Sequence, residues 1–264
     1  MITSDITGNR IKKYLEQGKR FDGRAPEEFR ELVIEKDVSK KAEGSVKVKL
    51  GKTEVIVGVK LGVVEPYADS PDKGNLMVTA EMLPLSSERV ELGPPKFPAI
   101  ELGRVIDRGI RESGFIDVSK LVIKEGEKVW NVFVDIYTIN DDGNLLDAAG
   151  IGAVAALKIA QLPKYDEAEG KVIYEEKVGP VPLTDKTPLA ITVHKLGKSL
   201  IVDPTREEED TSEARLTVGS SDGLISSMQK GDSSTFTIEE VAKATELVDN
   251  VWKVLFKNLE KQLK

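Results

Sequence analysis

The chain has 264 residues, no cysteine, one histidine and a net charge of −7. That length supports one large domain or two small ones around a real core. The missing cysteines exclude disulfides, thiolate metal sites and cysteine nucleophiles, and they fit a cytoplasmic protein. The acidic balance argues against a general nucleic-acid binder, which would carry a basic excess; any nucleic-acid contact must use locally gathered basic residues or a partner's. No apolar run reaches the roughly eighteen residues of a membrane span, and the start, MITSDITGNR, lacks the pattern of a secretory signal. Charged residues make up 31% of the chain with both signs interspersed, a pattern found in thermophile proteins.

Residues 1–30 are expected to form an N-terminal arm, with a short amphipathic helix over 4–17 and a turn at RFDGR, 20–24. Val46, Val48 and Leu50 alternate with lysines. After a Gly51-Lys52 turn, Val55, Val57, Val59 and Leu61 recur every second residue, predicting a hairpin with one buried face. A strand over 76–83 follows, then the GPPKFP loop at 93–98 and a helix over about 99–113. Trp130, Val132, Val134 and Ile136 mark a strand over 129–139. After a turn at 141–144, an Ala-rich helix runs to Gln161, stopped by Pro163.

Residues 163–187 are charged and Pro-containing and are expected to be a linker or excursion. Beyond them LAITVHKL and SLIVDPT form a hairpin about Gly197-Lys198, strands follow at 215–219 and 223–229, and a last helix starts at Thr237. Glu240 completes a capping box there, and Val241, Ala244, Val248, Val251, Trp252, Leu255 and Leu259 line its buried face. The division is therefore a domain at 31–163, a connecting segment at 164–187 and a second domain at 188–264, each with strands followed by helices.

The 99–113 helix carries the most chemical information. Arg104, Arg108 and Arg111 are spaced i, i+4, i+7 and fall within an arc of about 60°. Leu102, Val105, Ile106, Gly109 and Ile110 occupy the opposite side. Three guanidinium groups on one face suit phosphate oxygens. Ordinary helix pairing competes, since Asp107 and Glu112 stand four residues from Arg111 and Arg108, and spacing alone favours that pairing.

Gly150-Ile151-Gly152-Ala153-Val154-Ala155 matches the dinucleotide fingerprint, but that motif needs a strand leading directly into it. Small residues packed on a sheet are the alternative. A strand ending within a few residues of Gly150 would favour a dinucleotide-dependent enzyme. Glu207, Glu208, Glu209 and Asp210, with Asp203 nearby, could hold Mg²⁺ through oxygen ligands, yet a charge run is more often a solvated loop. His194 has neither a second histidine nor a cysteine to work with and is expected to be structural. No P-loop or G-x-S-x-G motif occurs.

An ordered series of blocks resembles the RNase PH family: RFDGR at 20–24, GSVKVKLGKTEVIVGVKLG at 44–62, GNLMVTAEMLP at 74–84, ELGRVIDRGIRES at 101–113, KLVIKEGEKVWNVFVDIYTINDDGN at 120–144 and IVDPTREEE at 201–209. Within the family the likeness is to the archaeal exosome ring subunits. LPL at 83–85, GPP at 93–95, LDA at 146–148 and VDPTREEE at 202–209 resemble the non-catalytic type.

The resemblance implies an α/β fold of mixed sheets with two pseudo-repeated βαβ-type halves and a core like the second domain of ribosomal protein S5. It also implies a hexameric ring of three heterodimers with a catalytic paralogue. That ring degrades single-stranded RNA from the 3′ end by phosphorolysis, under cap proteins with S1, KH or zinc-ribbon modules. Catalytic members carry a Gly-Thr/Ser-Arg phosphate loop where this chain has Leu145-Leu146-Asp147, and an aspartate there would repel phosphate. They carry an acid where this chain has Arg215, after Ser212-Glu213-Ala214. No catalytic or metal-binding residue is therefore expected here; phosphate and Mg²⁺ would belong to the partner. In the non-catalytic subunits two arginines four apart contact RNA. They match Arg104 and Arg108, with Arg111 a third RNA-binding candidate that could instead only pair with Asp107. An active phosphorolytic RNase PH remains the alternative within the family.

Overall fold

A computed structural model of the chain describes residues 3–264. Helix α1 (Asp5–Leu15) is capped by Ser4, whose side chain accepts from the Thr7 amide. Its Ile11 and Leu15 bury against Leu196 and Ile201, so the arm is tied to the far half of the sequence.

The first sheet is built from β1 (Leu32–Lys36), β2 (Gly44–Leu50), β3 (Thr53–Val64), β4 (Asn75–Met82), β5 (Val122–Lys124) and β6 (Lys128–Asn140), in the order β1-β2-β3-β6-β4 with β5 beside β6. The expected hairpin is β2–β3, and Gly51 turns it with a positive φ of 58°, a conformation costly for side chains with a Cβ. Only β4 runs parallel to its neighbour, β6. Parallel neighbours need a long crossover, and helix α2 (Phe97–Ser113) lies within it.

Helix α3 (Leu145–Ile159) follows β6 and is buried nearly all round. It packs on β2 and β3 on one side and on the second half's β9 (Leu189–Leu196) on the other. A helix between two walls needs small residues on both. A Cβ on Gly152 would come within 2.7 Å of Val57 Cγ2, and one on Gly150 within 3.2 Å of Ala190 Cβ. The glycines thus serve close packing. β6 ends at Asn140, well before Gly150, so the strand-to-glycine junction of a dinucleotide site is absent.

The 163–187 stretch, expected to be a linker or excursion, lies mostly in a hairpin, β7 (Gln161–Asp166) and β8 (Lys171–Pro180). α3 ends at Ile159, and Pro163 sits inside β7 where the register shifts, a place where a missing N–H is tolerated. The second sheet joins β9 to β10 (Ser199–Val202), β11 (Ala214–Ser221) and β12 (Leu224–Gly231), antiparallel throughout in the order β10-β9-β11-β12. Helix α4 (Arg206–Thr211) precedes β11. The closing helix α5 (Ile238–Leu263) packs on β9 and β11 and reaches β1, with both halves of its capping box formed by Thr237 and Glu240. One apolar cluster runs from Leu32 through α3 to Leu259, so both halves share a core.

Candidate functional site

A cavity of about 670 Å³ opens where β4, the 89–98 loop, α4 and the N-terminal turns of α2 and α3 meet. Leu145 and Leu146 line it at the α3 end together with Arg206 and Glu209, whose Oε2 accepts from the Asn144 amide at 3.3 Å, and Arg215 and Glu101 line it as well. A helix N-terminus favours anions, but the two leucines set an apolar surface before this one.

Asp147 does not face the cavity, contrary to the expectation that it would repel phosphate there. Its side chain is buried under α3. It accepts from the Thr192 amide at 3.1 Å, the Thr192 hydroxyl at 2.7 Å and Asn144 Nδ2 at 3.1 Å. The reason is steric and helical: the first-turn positions 145 and 146 point to the cavity and 147 turns inward toward β9. Burial pushes its pKa up to about 7, against the opposing pull of the Thr192 and Asn144 hydrogen bonds.

Arg215 Nη2 lies 2.6 Å from Glu101 Oε2. His194 is buried, with Nδ1 3.1 Å from Ser212 Oγ. Burial, then the neighbouring Arg215 charge, drives its pKa down to about 3.

These two buried groups make opposite contributions to stability with pH. Asp147 binds its proton more tightly when folded, so its contribution falls as pH rises from about 4 to about 7. His194 binds its proton more weakly when folded, so its contribution falls as pH drops from about 6.5 to about 3. Asp147→Asn removes the first dependence. Relative to wild type, the variant gains up to about 1.4 kcal/mol per pH unit between about pH 4 and 7. Urea unfolding of both proteins across that range checks this; a constant difference contradicts it.

The acidic stretch is not the solvated loop that a charge run suggests. It forms α4, capped by Thr205 and Glu208, and two arginines from distant segments and its own Arg206 take three of its carboxylates. Arg20 pairs with Glu208 at 2.5 Å, with both side chains almost fully buried. Arg206 pairs with Glu209 at 2.6 Å, and Arg89 with Asp210 at 2.6 Å. Asp203, just upstream, receives Arg24 at 3.0 Å, Arg30 at 2.7 Å and Asn144 Nδ2 at 2.8 Å. RFDGR and VDPTREEE, some 180 positions apart, are therefore one ion-pair network. Neither motif shows this partner by itself. These carboxylates do not fit a metal ion, because guanidinium groups already hold them. Among the described residues no group of three or more His, Asp or Glu side chains is arranged to bind one.

On α2 the apolar side packs as expected, with Leu102, Val105, Ile106, Gly109 and Ile110 buried. Arg104 and Arg108 are exposed on the other side. Arg104 has no hydrogen bond or ion pair among the described residues, and Arg108 Nη1 donates to Gln229 Oε1 at 3.3 Å. Arg111 is engaged differently. It grips Asp107 with two bonds, at 2.7 and 3.0 Å, and donates to the Leu76 carbonyl of β4 at 2.9 Å. The helix-pairing alternative thus describes Arg111, while Arg104 and Arg108 keep donors for a ligand.

The RNase PH family models match the chain in order: 3′ exoribonuclease family, domain 1, over residues 28–163 and domain 2 over 186–247. An exosome complex component Rrp42 of Thermococcus onnurineus is 46% identical over 249 residues, 93% of this chain and 91% of that protein. The Pyrococcus furiosus Rrp42 is 43% identical, covering 98% and 96%. Among solved structures, a chain of the Archaeoglobus fulgidus exosome with RNA bound to the active site superposes with a TM-score of 0.87 at 41% identity, over 96% of this chain and 98% of that one. A chain of an archaeal exosome core gives 0.85 at 39%, covering 97% of each. With both domains matched and relatives aligned along nearly its whole length, the chain belongs to the RNase PH family of 3′ exoribonucleases.

Proposed function

We propose that this chain is the non-catalytic ring subunit of an archaeal-type exosome, holding single-stranded RNA for a catalytic paralogue that degrades it from the 3′ end by phosphorolysis. One observation carries the reading. The exposed guanidinium groups of Arg104 and Arg108 lie on α2 outside a cavity whose α3 end carries Leu145 and Leu146 and whose own arginines are held by carboxylates. Such a surface grips phosphates but has no group to activate one. The likeness to Rrp42 relatives and to chains of archaeal exosome structures supports the assembly.

In this reading the chain alternates with its paralogue in a hexamer of three heterodimers, in the cytoplasm, with RNA-binding cap proteins on one face. Attacking phosphate and Mg²⁺ sit in the paralogue's site. Arg104 and Arg108 bind RNA phosphates, and Arg111 pins α2 to β4.

The test is a ring assembled with Arg104→Ala and Arg108→Ala. Exposed side chains away from the core change stability by about 0.5 kcal/mol or less, so the ring assembles. RNA affinity drops by roughly tenfold or more. The salt dependence flattens by about 0.7 in log–log slope for each phosphate that is no longer neutralised. Different RNA sequences lose similarly, because phosphates carry no sequence. Wild-type affinity and slope in an intact ring would contradict the proposal.

A further inference from the structure

Arg108 is the end of a hydrogen-bonded chain that begins inside the cavity. Arg215 Nη2 donates to Glu101 Oε2 at 2.6 Å. The other oxygen of Glu101 accepts from Gln229 Nε2 at 3.3 Å. The Gln229 carbonyl oxygen then accepts from Arg108 Nη1 at 3.3 Å. Donor and acceptor alternate without a break across β11, α2 and β12.

Each link sets the next. A carboxylate beside the Gln229 amide accepts only from its NH₂, which turns the amide oxygen toward Arg108. Glu101 holds its place because a guanidinium grips its second oxygen. Arg215 is seated in turn: it lies across Gly231, where any Cβ would come within 2.3 Å of its Nε. The helix is also set close to the sheet, since a Cβ on Gly219 would lie 3.6 Å from the Cα of Gly109. Gln229 can therefore reach across to α2.

An acid at position 215 would repel Glu101 and open the chain.

We propose that Arg215, Glu101 and Gln229 are positioning residues that hold the Arg108 guanidinium in place before RNA arrives. This rests on the reading of Arg108 as an RNA contact. A free arginine must be ordered when it binds, and that ordering weakens the complex; a guanidinium already held loses less.

The experiment uses the assembled ring and a single-stranded RNA oligonucleotide. Dissociation constants are measured for wild type, Gln229→Leu, Arg215→Met, Arg215→Lys and Arg108→Ala, and for Gln229→Leu combined with Arg108→Ala. Gln229→Leu changes no charge, and it weakens binding roughly three- to tenfold. Arg215→Met does the same, and Arg215→Lys, which still donates to Glu101, restores much of the loss. In the Arg108→Ala ring, Gln229→Leu has no further effect, because both act through one guanidinium.

Normal binding by Gln229→Leu in a series where Arg108→Ala weakens it would overturn the positioning chain and leave the RNA reading intact. A silent Arg108→Ala would overturn both. An undiminished Gln229→Leu loss in the Arg108→Ala ring would show that Gln229 acts elsewhere and would also overturn the chain. Gln229 is half-exposed on an edge strand, so this variant decides the matter even if Arg215→Met misfolds.

Discussion

Purified free of any paralogue, the chain releases no nucleoside diphosphate when incubated with RNA and inorganic phosphate. Phosphorolysis needs a site that holds the attacking phosphate and a group that protonates the departing 3′ oxygen. Neither is expected of this cavity, because its carboxylates Glu101, Asp141 and Glu209 are each held by an arginine. Leu145 and Leu146 line the α3 end, and the charge in that loop, Asp147, is turned into the core. The three cavity guanidinium groups are occupied: Arg215 by Glu101, Arg206 by Asp141 and Glu209, and Arg89 by Asp210. General acid catalysis contributes about 10²–10⁴-fold and a preorganised electrostatic donor about 10²–10³-fold. Losing both removes at least about four orders of magnitude. Product should not rise with the concentration of chain. Phosphate-dependent release proportional to that concentration would show an active enzyme.

The second large effect is on folding. Arg20→Met destabilises the chain by about 3–5 kcal/mol, the usual cost of leaving one member of a buried ion pair alone. Arg20 holds both oxygens of Glu208, at 2.9 and 2.5 Å, and donates to the carbonyls of Val202 and Asp203 at 3.0 and 2.8 Å. Both charged side chains are buried, at 0% and 4% exposure, so water cannot replace the lost donors. Arg20 also ties the N-terminal segment to α4, so its loss loosens the docking of α1. Denaturant unfolding measures the change. A loss below about 1 kcal/mol would mean that Glu208 finds another partner or takes up a proton.

What the sequence disclosed of this fold follows from apolar periodicity. β2, β3, β6 and α5 each bury one face through many residues, and their period is plain in Val46–Val59, Trp130–Ile136 and Ala244–Leu259. β1 was missed because five residues offer only two buried positions, Leu32 and Ile34. β7 and β8 were missed because an exposed hairpin has no buried face to repeat, and Pro163 argued for a break. α4 has the sequence REEEDT, with no apolar period at all. Its order comes from Arg20 and Arg89, elsewhere in the chain, and from its own Arg206. The α2 face was legible because i, i+4, i+7 spacing is local. Its connection to Arg215 was not, since Glu101 and Gln229 meet only through tertiary packing. The inward turn of Asp147 was hidden for the same reason: Thr192 lies 45 positions away.

The most direct test of the account compares three preparations: this chain, its catalytic paralogue, and the two mixed. Each is sedimented and then assayed for nucleoside diphosphate release from RNA and phosphate. The account predicts a hexamer-sized species in the mixture, tighter RNA binding and faster release there than from the paralogue alone, and none from this chain. Release by this chain alone, or a mixture that sediments as two separate species with only the paralogue's own rate, would contradict it.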